Sequence, residues 1–141
     1  PISAIEWVSK FSFLHARNKK INDWLILMPA NRLSNEIKYS LKEGKKITGA
    51  YVSAEMQNIM QQKNIPNDAN GKQDYKAPPS AYTVINMNAS ATFLVNKTPI
   101  TLSIGARNLL NTVYRDYLNS MRYFTDEMGR NISIRLKFQL Q

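Results

Sequence analysis

The sequence predicts an all-β fold: an antiparallel transmembrane meander of about six strands, an arc of a larger barrel. Three observations predict it. Polar and apolar side chains alternate in six stretches. Each stretch runs to about ten to fifteen residues, the length a tilted strand needs to cross a bilayer. The connections between them are short and long by turns.

The first strand spans about 3–17 and sets Ile5, Trp7, Phe11 and Phe13 against Glu6, Lys10 and Ser12. In residues 33–42, Leu33, Ile37, Tyr39 and Leu41 oppose Ser34, Glu36, Lys38 and Lys42. The strand over 47–61 is less regular. Ala50, Val52, Ala54 and Met56 oppose Ser53, Glu55 and Gln57, and a bulge near Asn58 would account for the lost phase. In 80–95, Ile85, Met87, Ala89, Ala91, Phe93 and Val95 face away from Asn86, Asn88, Ser90 and Thr92. In 99–108, Ile100, Leu102, Ile104 and Ala106 face away from Thr101, Ser103, Gly105 and Arg107. The last strand, 131–141, is the cleanest. Ile132, Ile134, Leu136, Phe138 and Leu140 lie on one face, and every residue between them is polar.

Two connections are short, Glu43–Lys46 and Asn96–Thr98; three are long, about 18–32, 62–79 and 112–129. Outer-membrane barrels sort their connections in this way, with short turns on the periplasmic side. Trp7, Tyr39, Phe93 and Phe138 then fall toward the short-turn ends of outward-facing sets, where interfacial aromatic rings belong. The expected lipid-facing residues are Trp7, Tyr39, Phe93, Ile132, Ile134, Leu136, Phe138 and Leu140. Lys10, Glu36, Lys38, Glu55, Arg107, Arg135 and Lys137 are expected to face the lumen. Six strands cannot close, since the smallest single-chain barrels of this type have about eight. The expectation is a piece of a longer chain.

Composition removes several other classes. The longest apolar run, Trp24–Met28, falls far short of the roughly 20 residues of a membrane-crossing helix. There is no cysteine, so neither a disulfide framework nor a thiolate metal site can form, and His15 is the only histidine. No nucleophile, base and acid can be assembled, and the expectation is a non-enzyme without cofactor or metal. His15 reads as a polar residue beside a loop. The net charge is +9, from 19 basic and 10 acidic residues. The basic residues are dispersed, with no cluster beside stacking aromatics, so no nucleic-acid partner is expected. A soluble basic β-domain that binds nucleic acid is the remote alternative.

Four segments carry a family resemblance. Gly105-Ala106-Arg107-Asn108-Leu109-Leu110-Asn111, followed by Tyr114-Arg115-Asp116-Tyr117, resembles the penultimate strand and last loop of TonB-dependent outer-membrane receptors. Gly129-Arg130-Asn131-Ile132, leading into Leu136-Lys137-Phe138, is similar to their final strand. Met28–Leu33 and Pro78–Thr83 look like family entries into descending strands. The family usually ends on an aromatic residue; here Leu140 holds that phase and Gln141 follows.

The resemblance implies that residues 1–141 are the C-terminal segment of a 22-stranded barrel, without the N-terminal plug domain that fills the lumen. It implies residence in the outer membrane of a Gram-negative bacterium and contact with its lipid. It also implies energy from the TonB complex through the absent N-terminal part, and import of a scarce small-molecule nutrient. A ferric siderophore or similar metal chelate is the favoured cargo. An unplugged channel and a glycan importer are the alternatives.

The loop at 112–129 bears most on function. Tyr114, Tyr117, Leu118 and Met121 have the spacing of one face of a short helix, with Arg115, Asp116, Asn119 and Arg122 on its other faces. Those four polar residues are candidates for substrate contact. The competing reading packs the helix on neighbouring loops and ties Arg115 to Asp116. That reading is favoured, because receptors for different substrates share the motif. Asp68, Asn70 and Lys72, in the polar loop at 62–79, are further candidates for substrate contact.

Overall fold

A computed structural model describes residues 4–67, 78–95 and 98–138. These residues form an all-β structure with no helix. Six strands make one antiparallel sheet: β1 (Ile5–Ser12), β4 (Arg32–Ser40), β5 (Ile47–Ile59), β6 (Tyr82–Val95), β7 (Thr98–Arg107) and β8 (Asn131–Phe138). Their spatial order follows the chain, so the sheet is a meander. A two-stranded hairpin, β2 (Arg17–Asn18) with β3 (Asp23–Trp24), occupies the first long connection.

The register converts alternation into two chemically distinct faces. One row runs Ile5, Tyr39, Val52, Ala89, Ile104, Ile134 across all six strands. A second runs Trp7, Ile37, Ala54, Met87, Ala106, Ile132. Neither row contains a polar side chain. On the opposite face the row Glu6, Lys38, Ser53, Asn88, Gly105, Ser133 contains no apolar side chain. A one-residue slip in any strand would mix the two faces, so the pattern fixes the register.

The apolar face is the bare one. Trp7 is 71% exposed, Ile134 72% and Ile132 65%. The few buried apolar residues, Met28, Ala30, Ile59, Val84 and Tyr117, belong to the long-loop end of the molecule. Of these, Ile59 and Val84 lie on the mainly polar face, as the less buried Val8 does.

Three expectations are corrected in detail. First, β1 ends at Ser12 rather than near residue 17, because the chain leaves the sheet to form the β2–β3 hairpin. Second, the β5 bulge is not near Asn58. Asn58 pairs regularly with Leu33 and Thr83, and the register shifts between Thr48 and Tyr51 instead. There Gly49, at a φ of 59°, and Ala50 together oppose the single residue Ala91. That extra residue explains why Ile47 and Val52, an odd and an even position, share the outer face.

Third, the loop after β7 contains no helix. Asp116 Oδ1 accepts from the Leu118 amide and Asn119 Oδ1 from the Met121 amide, each at 2.9 Å. These local bonds compete with helical ones. The backbone instead makes successive tight turns, Asn119 N to Asp116 O and Arg122 N to Asn119 O.

Connections alternate as expected: residues 41–46 make a short turn closed by Gly44 N to Ile47 O, while the long connections all emerge at the other end. The second short turn contains Asn96 and Lys97, which lie outside the described residues, as do Leu140 and Gln141.

Candidate functional site at the long-loop end

The polar face and the last loop enclose a cavity of about 690 Å³ at the long-loop end. Its floor is the ends of β4 to β8, and its side is the loop from Asn108 to Arg130. Each strand reaches it with an inward position: Arg32, Glu55, Val84, Asn86 and Arg107 among them. The loop contributes Tyr114, Asp116, Glu127 and Met128.

The loop is docked by specific contacts. Tyr82, the first residue of β6, donates its hydroxyl to Asp116 Oδ2 at 3.0 Å and stacks its ring on Tyr114, with centroids 4.3 Å apart. Arg32 Nη2 lies 3.6 Å from the same Asp116 oxygen. Burial, reinforced by the nearby Glu127 and Asp116 carboxylates, pushes the Tyr114 phenol up from its ordinary range.

Asn108 holds the base of the loop. It is buried at a φ of 49°, and its side chain accepts from Thr112 N at 2.8 Å. Its amide nitrogen donates to Thr112 O at 2.8 Å and to Met128 O at 3.3 Å. Its own backbone amide donates to Asn86 Oδ1 at 3.1 Å.

The four candidate contact residues of this loop are all engaged within the fold. Arg115 Nε donates to Asp126 Oδ1 at 2.6 Å, and Nη1 donates to Arg122 O at 2.9 Å. Asp126, not Asp116, is therefore the ion-pair partner of Arg115. Asn119 donates to Glu127 Oε1 at 2.6 Å. Arg122 is buried, donates to Tyr117 O at 2.9 Å, and lies over the Tyr117 and Tyr123 rings. The remaining candidates, Asp68, Asn70 and Lys72, lie outside the described residues.

The expected lumen residues share the polar face. Glu55 accepts from Ser34 Oγ at 2.6 Å and from Asn86 Nδ2 at 3.1 Å. Lys38 reaches Glu6 at 3.8 Å and the Tyr51 ring at 5.0 Å, and with Glu36 it lines a smaller cavity of about 280 Å³. Lys10, Arg135 and Lys137 share this face by register with Ser34, Ser103 and Thr101. Arg107 borders the large cavity without a hydrogen-bond or ion-pair partner among the described residues.

A separate cluster ties the first two long connections together. His15 stacks on Trp24 with centroids 4.9 Å apart, and Arg17 lies 4.8 Å from the same ring. Asn64 contacts His15 Nε2 at 3.2 Å, and Gln62 donates to Met28 O and Pro29 O at 2.9 Å each. Among the described residues no group of three or more His, Cys, Asp or Glu is arranged to hold a metal ion.

Alternation alone assigns Tyr82 no role, because it stands at a strand end beside a proline-rich entry. Asn108 carries a usable signal, an asparagine immediately after a strand, where left-handed backbone is common. No protein-family model, curated protein or solved structure matches the chain.

Proposed function

We propose that this chain is part of the wall of a plugged, TonB-energised import barrel of about 22 strands in the outer membrane of a Gram-negative bacterium. Its cargo would be a small-molecule nutrient of metal-chelate type, such as a ferric siderophore. The observation that carries the reading is the inverted sheet. Ten of the twelve side chains in two apolar rows are exposed, while the opposite face is mainly polar and hollowed. Burying one large apolar side chain stabilises by roughly 1.5–3 kcal/mol. A water-soluble sheet of this sequence would forgo that gain many times over, whereas hydrocarbon recovers it.

Dimensions agree. A tilted strand needs roughly 9–11 residues to cross the apolar band of such barrels, and β4 to β7 have 9, 13, 14 and 10. The two unpaired sheet edges, on β1 and β8, call for further strands of the same wall. The cargo class rests on the likeness of residues 105–117 to the last loop of siderophore-type receptors.

The test is fractionation of the intact protein, followed by growth of a deletion strain. A heat-modifiable band in the outer membrane and impaired growth on a ferric siderophore are expected. Solubility without detergent would overturn the barrel, and a defect confined to an oligosaccharide would overturn the cargo.

A further inference from the structure

We propose that a second copy of the protein docks on the apolar face around Ser9 and Asn35, the two Asn35 amides bonding across a two-fold axis. The proposal rests on the reading above in one respect, that this face meets hydrocarbon.

Apart from aromatic rings, the described strands place five polar side chains on the apolar face: Ser9, Asn35, Asn58, Thr83 and Thr98. Three of them stand at strand ends. Asn58 and Thr83 pair at the long-loop end, where Thr83 Oγ1 donates to Asn58 Oδ1 at 2.8 Å, and Thr98 opens β7. Ser9 and Asn35 differ. Ser9 is the fifth of eight residues in β1, Asn35 the fourth of nine in β4, and they are register partners. Neither side chain has a hydrogen-bond partner among the described residues.

Their surroundings are large and bare. Trp7 and Ile37, the next register pair toward the short turns, are 71% and 56% exposed. Phe11 and Leu33 form the next pair toward the long loops, with Phe11 57% exposed, and Met56 lies beside Asn35 on β5. A polar pair thus interrupts the apolar surface midway along two strands.

Hydrocarbon offers an amide neither donor nor acceptor, so an Asn35 facing lipid alone is left unsatisfied. An asparagine side chain carries two donors and an acceptor, which makes it its own complement. A two-fold axis along the membrane normal sets Asn35 against the same residue of the second copy. Ser9, on the neighbouring strand, adds a hydroxyl to the contact. Hydrogen bonds between polar side chains strengthen contacts between membrane chains in this way.

The test labels the intact protein at a short turn through Glu43→Cys, with any other thiol removed, in separate donor and acceptor batches. These 141 residues contain no cysteine of their own. Energy transfer in lipid vesicles is followed as the protein-to-lipid ratio rises. Transfer above that of random crowding is expected. Asn35→Leu should move the midpoint to a ratio about five-fold higher, the size of one such hydrogen bond. Asn35→Gln keeps an amide and should move it less. Ile134→Ala, on the same face four strands away, should leave it in place. Asn35→Leu sets an apolar side chain against lipid, so it should refold at least as well as the parent.

Transfer no greater than crowding gives, a midpoint unmoved by Asn35→Leu, or an equal shift from Ile134→Ala would each overturn the second copy. Should Asn35→Leu misfold, Ser9→Ala reads the contact from the neighbouring strand, with a shift in the same direction expected. Heat modifiability of the same preparation reads the barrel separately. A heat-modifiable band without excess transfer overturns the second copy alone, and the lack of such a band overturns the barrel.

Discussion

Tyr82 and Asp116 are 34 residues apart in the chain, and the phenol of one donates to the carboxylate of the other at 3.0 Å. The bond joins the entry of β6 to the middle of the last loop. With the Tyr114 stack and Arg32, it draws that loop across the polar face. The cavity exists because the loop is held there.

Removing the Tyr82 hydroxyl should loosen the loop without unfolding the sheet. Asp116 keeps Arg32 and the Leu118 amide, so Tyr82→Phe should cost about 1 kcal/mol. Such a cost corresponds to roughly five-fold more of the open loop. Tryptic cleavage after Arg115 or Arg122 should accelerate by that factor, and unchanged cleavage would mean that the bond contributes nothing to docking.

Asn108 should matter more. Alanine there leaves the Thr112 amide and the Thr112 and Met128 carbonyls without their partner in a buried site. It also places a β-carbon residue less suited than asparagine at a left-handed φ. Asn108→Ala should lose about 1–3 kcal/mol, measured as refolding free energy into lipid vesicles. A loss within error of zero would show that water replaces the asparagine amide.

The β5 bulge offers a cleaner separation of backbone from packing. A Cβ on Gly49 would meet nothing within 4 Å, so space does not oppose substitution; its φ of 59° does. Gly49→Ala should cost on the order of 1–2 kcal/mol and Gly49→Asn less, since asparagine tolerates this conformation. Equal refolding free energies for the two variants would remove the backbone argument.

Alternation made the two faces legible because period two is a direct projection of strand geometry. Six of the residues expected to face lipid, Trp7, Tyr39, Ile132, Ile134, Leu136 and Phe138, are exposed on one face, and Arg107 and Glu55 lie on the other. The bulge was displaced because Gly49 and Ala50 carry no contrast in polarity. The phase change shows only in comparing Ile47 with Val52 across that pair, while Ile59, an apolar residue in unbroken phase with Ser53, Glu55 and Gln57, imitates a lost phase near Asn58. The apolar spacing of the last loop fits a helix, while Asp116 and Asn119 divert its backbone into turns. The cavity itself depends on Tyr82 meeting Asp116, a contact that no local pattern encodes.

The loop should also respond to alkaline pH. The Tyr114 phenol is raised above its ordinary value of 10.0, chiefly by burial and then by the Glu127 and Asp116 carboxylates. The folded state therefore favours the protonated form. That contribution is intact below the ordinary value and is lost as pH rises through the elevated folded one. Tryptic release of the loop should rise over this alkaline range, and Tyr114→Phe should flatten the rise. A profile unchanged by Tyr114→Phe would place the titration elsewhere.

The orientation of the sheet can be tested with two adjacent residues of β8. Leu136 pairs with Leu102 on the apolar face, and Lys137 pairs with Thr101 on the polar one. If the apolar face meets hydrocarbon, arginine at Leu136 must be carried into the bilayer. That costs about 2–4 kcal/mol near the midplane and less toward the headgroups. Gln at Lys137 keeps water or polar atoms as neighbours and should cost far less. Refolding free energy of the intact protein into lipid vesicles reads both, and the yield of heat-modifiable barrel in outer membranes gives a second measure. Equal losses, or a larger loss at Lys137, would mean that the faces are reversed or that no bilayer is involved. Leu136→Arg is expected to be the damaging change, because it alone sets a charge against the surface that the sheet leaves bare.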